Sequence, residues 1–266
     1  MPTEQPRITF AIPYYRGRDY LREAVQSVRR QTVCDWLLLV VDDRGPEPAD
    51  EVIAEFDDPR ITLVRNERNL GLAGNWNECV RLATTPYVTI LHGDDRLLPE
   101  YAERVLAAAE REPGVTALFT DAVNIDGHGA PTRTMADVVK GLLPRRKEDH
   151  LLVGDDDLAA LLAGNYIVCP TMCLRRDVVG PAPFDATLRF VPDWEFTTRA
   201  LMEGGGCSPS ARRCWSIAAT AAARRHCRPR TRPGSLRRSR SSGHGRPNSD
   251  RWAGRPQPGR RGAGSL

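Results

Sequence analysis

Aromatic residues make up only 6% of this 266-residue sequence, and no uninterrupted run of about 18 apolar residues occurs in it, so no segment reads as a membrane-spanning helix. The first residues, MPTEQPRITF, lack the basic start and apolar stretch of a secretory signal. The expected compartment is therefore the cytoplasm, with the inner face of the membrane in reach. Seven cysteines are scattered at positions 34, 79, 169, 173, 207, 214 and 227. Cys169 and Cys173 are the nearest pair, without a second pair or histidines at zinc spacing, which fits reduced thiols better than a structural metal module. The glycines of GLAG, residues 71–74, lack the Walker pattern, so a nucleoside-triphosphate phosphate loop is not expected.

Lysine is absent from residues 204–266, which hold 15 Arg and a single acid, Asp250. That segment carries +14, and taking it from the whole chain's +4 leaves the first 203 residues at −10. The chain thus divides into an acidic domain, residues 1–203, and a tail, residues 204–266. The tail's Arg, Ser, Pro and Gly show no sustained apolar period and predict disorder.

Within residues 7–125, short apolar runs alternate with amphipathic stretches. RITFAIPYY, WLLLVVDD, ITLVRN, YVTILHGDD and VTALFTDAVNID predict strands. YLREAVQSVRRQ, ADEVIAEF, LAGNWNECVRLA and LPEYAERVLAAAERE predict helices. Continuous apolar strands alternating with helices mean an α/β sheet, mainly parallel and covered on both faces. Further on, residues 126–150 predict a loop, DDDLAALLAG a helix, NYIVCPTMCLRR a strand interrupted by proline, and DWEFTTRALMEG a helix.

Sheets of this kind bind ligands at the carboxyl ends of their strands. Two acidic pairs, Asp42-Asp43 and Asp94-Asp95, sit at such ends. Adjacent carboxylates repel unless a cation or hydrogen-bond donors face them. A hard divalent ion shared with a diphosphate would satisfy Asp94-Asp95. A turn with an N-cap would also use Asp there.

The order of these motifs resembles that of the family 2 glycosyltransferases, which have the GT-A fold. FAIPYYRGRDYLREAVQSVRRQT is similar to their first strand, loop and helix, ending in Gln31-Thr32, and LLLVVDDRGPEPADEV to their second strand and nucleotide loop. RNERNLGLAGNWNECVRLATTPYVTILHGDD resembles their Asn-x-Gly loop, helix and metal strand, and FDATLRFVPDWEFTTRAL their catalytic-base segment. The resemblance covers residues 7–203. It implies a GT-A, Rossmann-like mixed sheet flanked by helices. It also implies roles: Pro13 under the nucleotide base, Asp43 on the base with Asp42 beside it, Asp94 near the ribose, and Asp95 as ligand of a Mg²⁺ or Mn²⁺ ion on the donor diphosphate. Asn77, with Asn75, would shape the donor pocket. Asp193 would be the general base, with Glu195 in reserve. The chain departs from the family pattern at Arg44-Gly45-Pro46, where small residues are usual, at His92-Gly93, where another acid is common, and at Pro192. His92 reads as the filling of a strand end, with the lining of the nucleotide site as its alternative, Trp76 as core, and Cys169-Pro170-Thr171 as a buried kinked strand, with an approach to the acceptor pocket as its alternative.

In the tail the family pattern stops at Gly204–Gly206. A one-base slip of the reading frame there would explain it. With TCN codons for serine, Cys207 with Ser208 then gives Leu or Phe and Trp215 with Ser216 gives Val, while Cys214 with Trp215 gives Leu and Ala219 with Thr220 permits His. With suitable third bases the segment reads Leu-Leu-Ala-Val-Gly-Ala-Pro-Leu-Leu-Val-Tyr-Arg-Arg-His, an apolar strand followed by a basic-histidine segment. The resemblance as a whole implies an inverting, metal-dependent transferase. It would use a UDP- or dTDP-sugar and a saccharide or lipid-linked acceptor in polysaccharide or cell-envelope synthesis. Two alternatives stand beside it: a catalytically impaired nucleotide-binding remnant, and a basic-tail protein holding nucleic acid without specificity.

Overall fold

The computed structural model describes residues 5–126, 130–132 and 149–203, and the backbone of 214–225. Strands β1 (Ile8–Tyr14), β2 (Trp36–Asp42), β3 (Ile61–Arg65) and β4 (Tyr87–Ile90) alternate with helices α1 (Arg18–Arg29), α2 (Asp50–Ile53) and α3 (Gly71–Leu82). Then come β5 (Asp95–Leu97), α4 (Tyr101–Arg111), β6 (Ala117–Ile125), β7 (His150–Leu152) and α5 (Gly154–Ala163). A 3₁₀ turn at Cys169–Thr171, β8 (Cys173–Arg175), α6 (Arg176–Val179), α7 (Pro192–Glu203) and β9 (Cys214–Arg225) complete the described elements. One mixed sheet runs β3-β2-β1-β4-β8-β6-β9-β5, with β7 also on β9. Its first four strands are mutually parallel.

Each parallel strand faces two cores, which is why it reads as continuously apolar. Ile8, Phe10 and Ile12 of β1 with Leu38 and Val40 of β2 pack under α1 and α4. Ala11, Leu39 and Val41 face the opposite way, toward Trp76, Cys79 and Val80 of α3 and Phe196 of α7. Leu21, Ala24, Val25 and Val28 form the buried stripe of α1, at the i, i+3, i+4, i+7 spacing of a helix face.

The Gln31-Thr32 pair has a structural task. The Gln31 amide donates to the carbonyls of Ser27 at 3.2 Å and Leu98 at 2.9 Å, and its oxygen accepts from Ala102 N–H at 2.9 Å. Thr32 N–H donates to the Pro99 carbonyl at 2.9 Å. The end of α1 is thereby fixed to the start of α4 and to Leu98-Pro99 before it. Gln31→Ala removes a buried partner of three backbone groups. We expect a loss of about 1–3 kcal/mol, read as a lower urea midpoint, with nucleotide affinity unchanged.

Three expectations change. The proline-containing stretch before Cys173 is not a strand: Pro170 lies in the 3₁₀ turn, and the ladder occupies Cys173–Arg175 alone. The YVTILHGDD stretch is broken, with β4 ending at Ile90 and β5 starting at Asp95 in a different pairing. The tail also departs from expected disorder at Cys214–Arg225, whose backbone pairs parallel to β6 and antiparallel to β5 and β7. Pairing of this kind depends on partner strands far away in sequence, which composition does not reveal. The described residues all belong to one compact unit. Residues 204–213 and 226–266, on which most of the frame-slip reading and the basic-tail alternative fall, lie outside the described residues, as do 127–129 and 133–148 of the expected loop.

Candidate active site

The carboxyl ends of β1, β2 and β4 and the first turn of α3 enclose a cleft of about 620 Å³. Pro13, Tyr15, Asp43, Asn75, Trp76 and Asp94 are among its lining residues. The sequence positions expected at the base, the ribose and the floor of the nucleotide loop thus meet in one place. The Tyr14 phenol, also at the cleft, is pushed up to about 12, chiefly by burial and then by Glu47, so it stays protonated at neutral pH.

The first acidic pair is resolved by two separate donor sets. Asp42 is fully buried. Its Oδ1 accepts from Arg44 N–H at 2.9 Å and its Oδ2 from Ala49 N–H at 3.2 Å. It ties down both ends of the loop after β2 instead of lining the cleft. Asp43 does line it. Its Oδ1 accepts from the Asn66 amide and from Leu70 N–H, both at 2.8 Å, and its Oδ2 from Gly71 N–H at 3.0 Å. The Asn69 amide closes the ring by donating to the Asp43 carbonyl at 3.1 Å. This gives the Asn-x-Gly segment its function: it presents the start of α3 to a carboxylate.

Between the two acids and Pro46 the backbone is tightly held. Arg44 adopts φ 54°, and its Nε donates to the Asn66 carbonyl at 3.0 Å. A Cβ on Gly45 would lie 1.4 Å from the Tyr15 carbonyl oxygen. The departure from small residues at this loop is therefore partial: the position that touches Tyr15, just past β1, is still glycine.

The second pair lies beyond β4. Asp95 N–H donates to the His92 carbonyl at 3.1 Å, a turn that folds His92 back over Asp95. His92 Nδ1 stands 3.7 Å from Asp95 Oδ2. Ligand atoms of His92, Asp94 and Asp95 all lie within 4.8 Å of one another. The His92 ring stacks on Trp76, with centroids 5.1 Å apart and planes 27° apart. Trp76, expected as core, is both buried and part of the cleft wall, and His92 is more than the filling of a strand end. Nothing local in the sequence places a side chain of α3 against the turn after β4. Asn77 differs from expectation: its amide donates to the Phe184 carbonyl at 2.7 Å and its oxygen accepts from Phe184 N–H at 2.9 Å. Both ends of that side chain are used to hold the segment before α7. Asn75 carries the cleft-side position, bonded to Asn66 and to the Val41 carbonyl.

Helix α7 presents the two base candidates. Asp193 is partly exposed, and its Oδ2 accepts one long hydrogen bond, 3.4 Å, from the Asn165 amide. Glu195 is ion-paired with Arg199 at 2.7 Å, and Arg199 also donates to the Pro183 carbonyl at 2.7 Å. The preceding Val191 has φ 50°, a costly conformation for a β-branched residue. Its carbonyl accepts from the N–H groups of Trp194 and Glu195, both at 3.1 Å.

Comparison with known proteins places the chain in a family and gives its fold. The family model described as Glycosyl transferase family 2 matches residues 9–179. The succinoglycan biosynthesis protein ExoO of Rhizobium meliloti is 26% identical over 77% of this chain and 59% of its own length. Among solved structures, TarS of S. aureus in complex with UDP-GlcNAc superposes with a TM-score of 0.64 at 16% identity, covering 83% of this chain and 59% of that one. A mannosyltransferase of Pyrobaculum calidifontis, PcManGT, in complex with GDP-Man and Mn²⁺, gives 0.58 at 15% identity, covering 84% and 57%. The structural likenesses carry the fold, a mainly parallel GT-A sheet. The chain spans two thirds or less of the length of the curated relatives first matched. No helix among the described residues is long and apolar enough to cross a membrane.

Proposed function

We propose that this chain, which belongs to glycosyl transferase family 2, moves a sugar from a UDP- or dTDP-linked donor to a hydroxyl of a saccharide or lipid-linked acceptor, with inversion at the anomeric carbon. The observation that carries the reading is the convergence of Pro13, Asp43 and Asp94 on one cleft, with Asp95 and His92 beside Asp94. Pro13 and Asp43 receive the base, Asp94 the ribose, and Asp95 with its neighbours the diphosphate end. Asp42 holds the loop that shapes the base site. The donor set fits a hard divalent ion: two carboxylates at mutual ligand distance, Asp94 lining a cleft open to a diphosphate and Asp95 buried next to it. Such an ion, Mg²⁺ or Mn²⁺, would offset the charge that develops on the leaving nucleoside diphosphate.

The remaining steps belong to the chain. Asp193 takes the proton of the acceptor hydroxyl as its oxygen bonds to the anomeric carbon. The bond from that carbon to the diphosphate oxygen breaks on the opposite face, which inverts the centre. ExoO, by its name, serves succinoglycan synthesis, and a second relative is named as a glucosyltransferase acting on a GlcNAc-diphosphoundecaprenol. These names support a polysaccharide or lipid-linked acceptor.

Calorimetric titration of UDP and dTDP with and without Mn²⁺, into the wild type and Asp95→Asn, tests the donor site. We expect binding that needs the metal and is lost in the variant. A folded wild type that binds neither nucleotide would overturn the reading. Binding without release of sugar from any UDP- or dTDP-sugar would favour the impaired remnant.

A further inference from the structure

We infer that His92 is a third protein ligand of the metal site, and that its nitrogen biases the site toward Mn²⁺ over Mg²⁺. The inference rests on the donor-site reading above and adds to it the identity of the ion. Three observations carry it. The turn that joins Asp95 N–H to the His92 carbonyl brings positions 92 and 95 to the same side, with Nδ1 of one 3.7 Å from Oδ2 of the other. That separation is too long for a hydrogen bond. It falls within the roughly 3–4 Å expected between two atoms that each sit about 2.1 Å from a shared ion. Asp94 completes a set of three whose ligand atoms lie within 4.8 Å of each other.

The ring is also held in place before any ion arrives. Stacking on Trp76 fixes its plane, and Trp76 is in turn set edge-on against Phe184 at 5.2 Å and 74°. Asn77 fixes the Phe184 backbone from both sides. A ligand positioned by packing loses little freedom on binding.

The chemistry of the donor set then decides the ion. Mg²⁺ demands oxygen ligands and gives up water reluctantly. Imidazole nitrogen suits first-row transition ions, Zn, Cu, Fe and Ni above all, and Mn²⁺, which binds carboxylates as Mg²⁺ does, is the one of the pair that belongs to that row. Two carboxylates with one imidazole therefore favour Mn²⁺, where an acid in place of His92 would leave the two ions closer.

The test uses the full chain and Mn²⁺ alone as probe. Electron spin-echo modulation of the bound ion reports a directly coordinated nitrogen, and histidine labelled with ¹⁵N assigns it to imidazole. Competition titrations with Mg²⁺ give the ratio of the two affinities. In the wild type we expect an imidazole coupling. In His92→Asn, with its melting curve checked, the coupling should vanish while Mn²⁺ still binds, and the preference for Mn²⁺ over Mg²⁺ should shrink at least about ten-fold. Asp95→Asn should lose Mn²⁺ binding altogether. Mn²⁺ binding that depends on Asp95 but shows no nitrogen coupling in the wild type overturns the role of His92 and leaves the donor site standing. Absence of Mn²⁺ binding, or binding indifferent to Asp95, overturns the role of His92, and only a failure to bind UDP and dTDP with Mn²⁺ present overturns the donor site as well. The wild-type spectrum needs no variant, so a His92→Asn protein that fails to fold does not remove the test.

Discussion

We expect Asp193→Asn to lower turnover by about 10²–10⁴-fold, the usual worth of a positioned general base, and to leave the affinities for UDP and Mn²⁺ at wild-type values. The separation follows from where the carboxylate sits. Asp193 is at the first turn of α7 and is not among the residues that line the nucleotide cleft, so its loss leaves the donor contacts intact. Its single long contact with Asn165 leaves it available to a hydroxyl. Glu195 is differently placed. Its ion pair with Arg199 ties α7 to the Pro183 carbonyl, and a carboxylate held in that way has little freedom to take a proton. Glu195→Gln should therefore reduce stability slightly and turnover by no more than a few-fold. Donor hydrolysis and sugar transfer, each measured beside a UDP titration, check both variants. The opposite order, with Glu195→Gln the more damaging to turnover, would transfer the base role to the reserve residue.

The contrast between these two acids shows what a sequence discloses. Alternating apolar runs and amphipathic stripes specify the parallel half of the sheet, because burial on both faces leaves a signature in each strand. Leu21, Val25 and Val28 mark α1 for the same local reason. Other outcomes depend on contacts that no window contains. Asn75 and Asn77 look equivalent in GNWNE, yet two residues on a helix point about 200° apart. One faces the cleft and the other the backbone of Phe184. His92 acquires its place from Trp76 on another helix. The two neighbouring acids of Asp42-Asp43 divide into a loop anchor and a cleft residue only when Ala49, Leu70 and Gly71 arrive as donors. Likewise Cys214–Arg225 pairs with β6 despite a composition that predicts no order.

Gly45 offers the other large effect. An alanine there would place its Cβ 1.4 Å from the Tyr15 carbonyl oxygen and 2.4 Å from its carbon. The obstacle is backbone, so no rotamer change relieves it. Displacing the loop would break the Asp42 contacts at Arg44 and Ala49. Displacing the end of β1 would break the bond from Asp43 N–H to the Tyr14 carbonyl, 2.8 Å. Either route costs at least about 2 kcal/mol by overpacking and lost hydrogen bonds together. Either also moves Pro13–Tyr15 against Asp43, the two sides of the base site, so UDP affinity should fall more than ten-fold. Gly71→Ala is the control. Gly71 has φ 74° with nothing within 4 Å of an added Cβ, so that variant bears only the strain of a left-handed alanine, about 1 kcal/mol. Its N–H still reaches Asp43. Urea midpoints and UDP titrations of the two variants side by side separate close contact from backbone strain. If Gly45→Ala proves as mild as Gly71→Ala, the loop has slack, Asp42 does not fix its ends, and the base site is not rigid before the nucleotide binds.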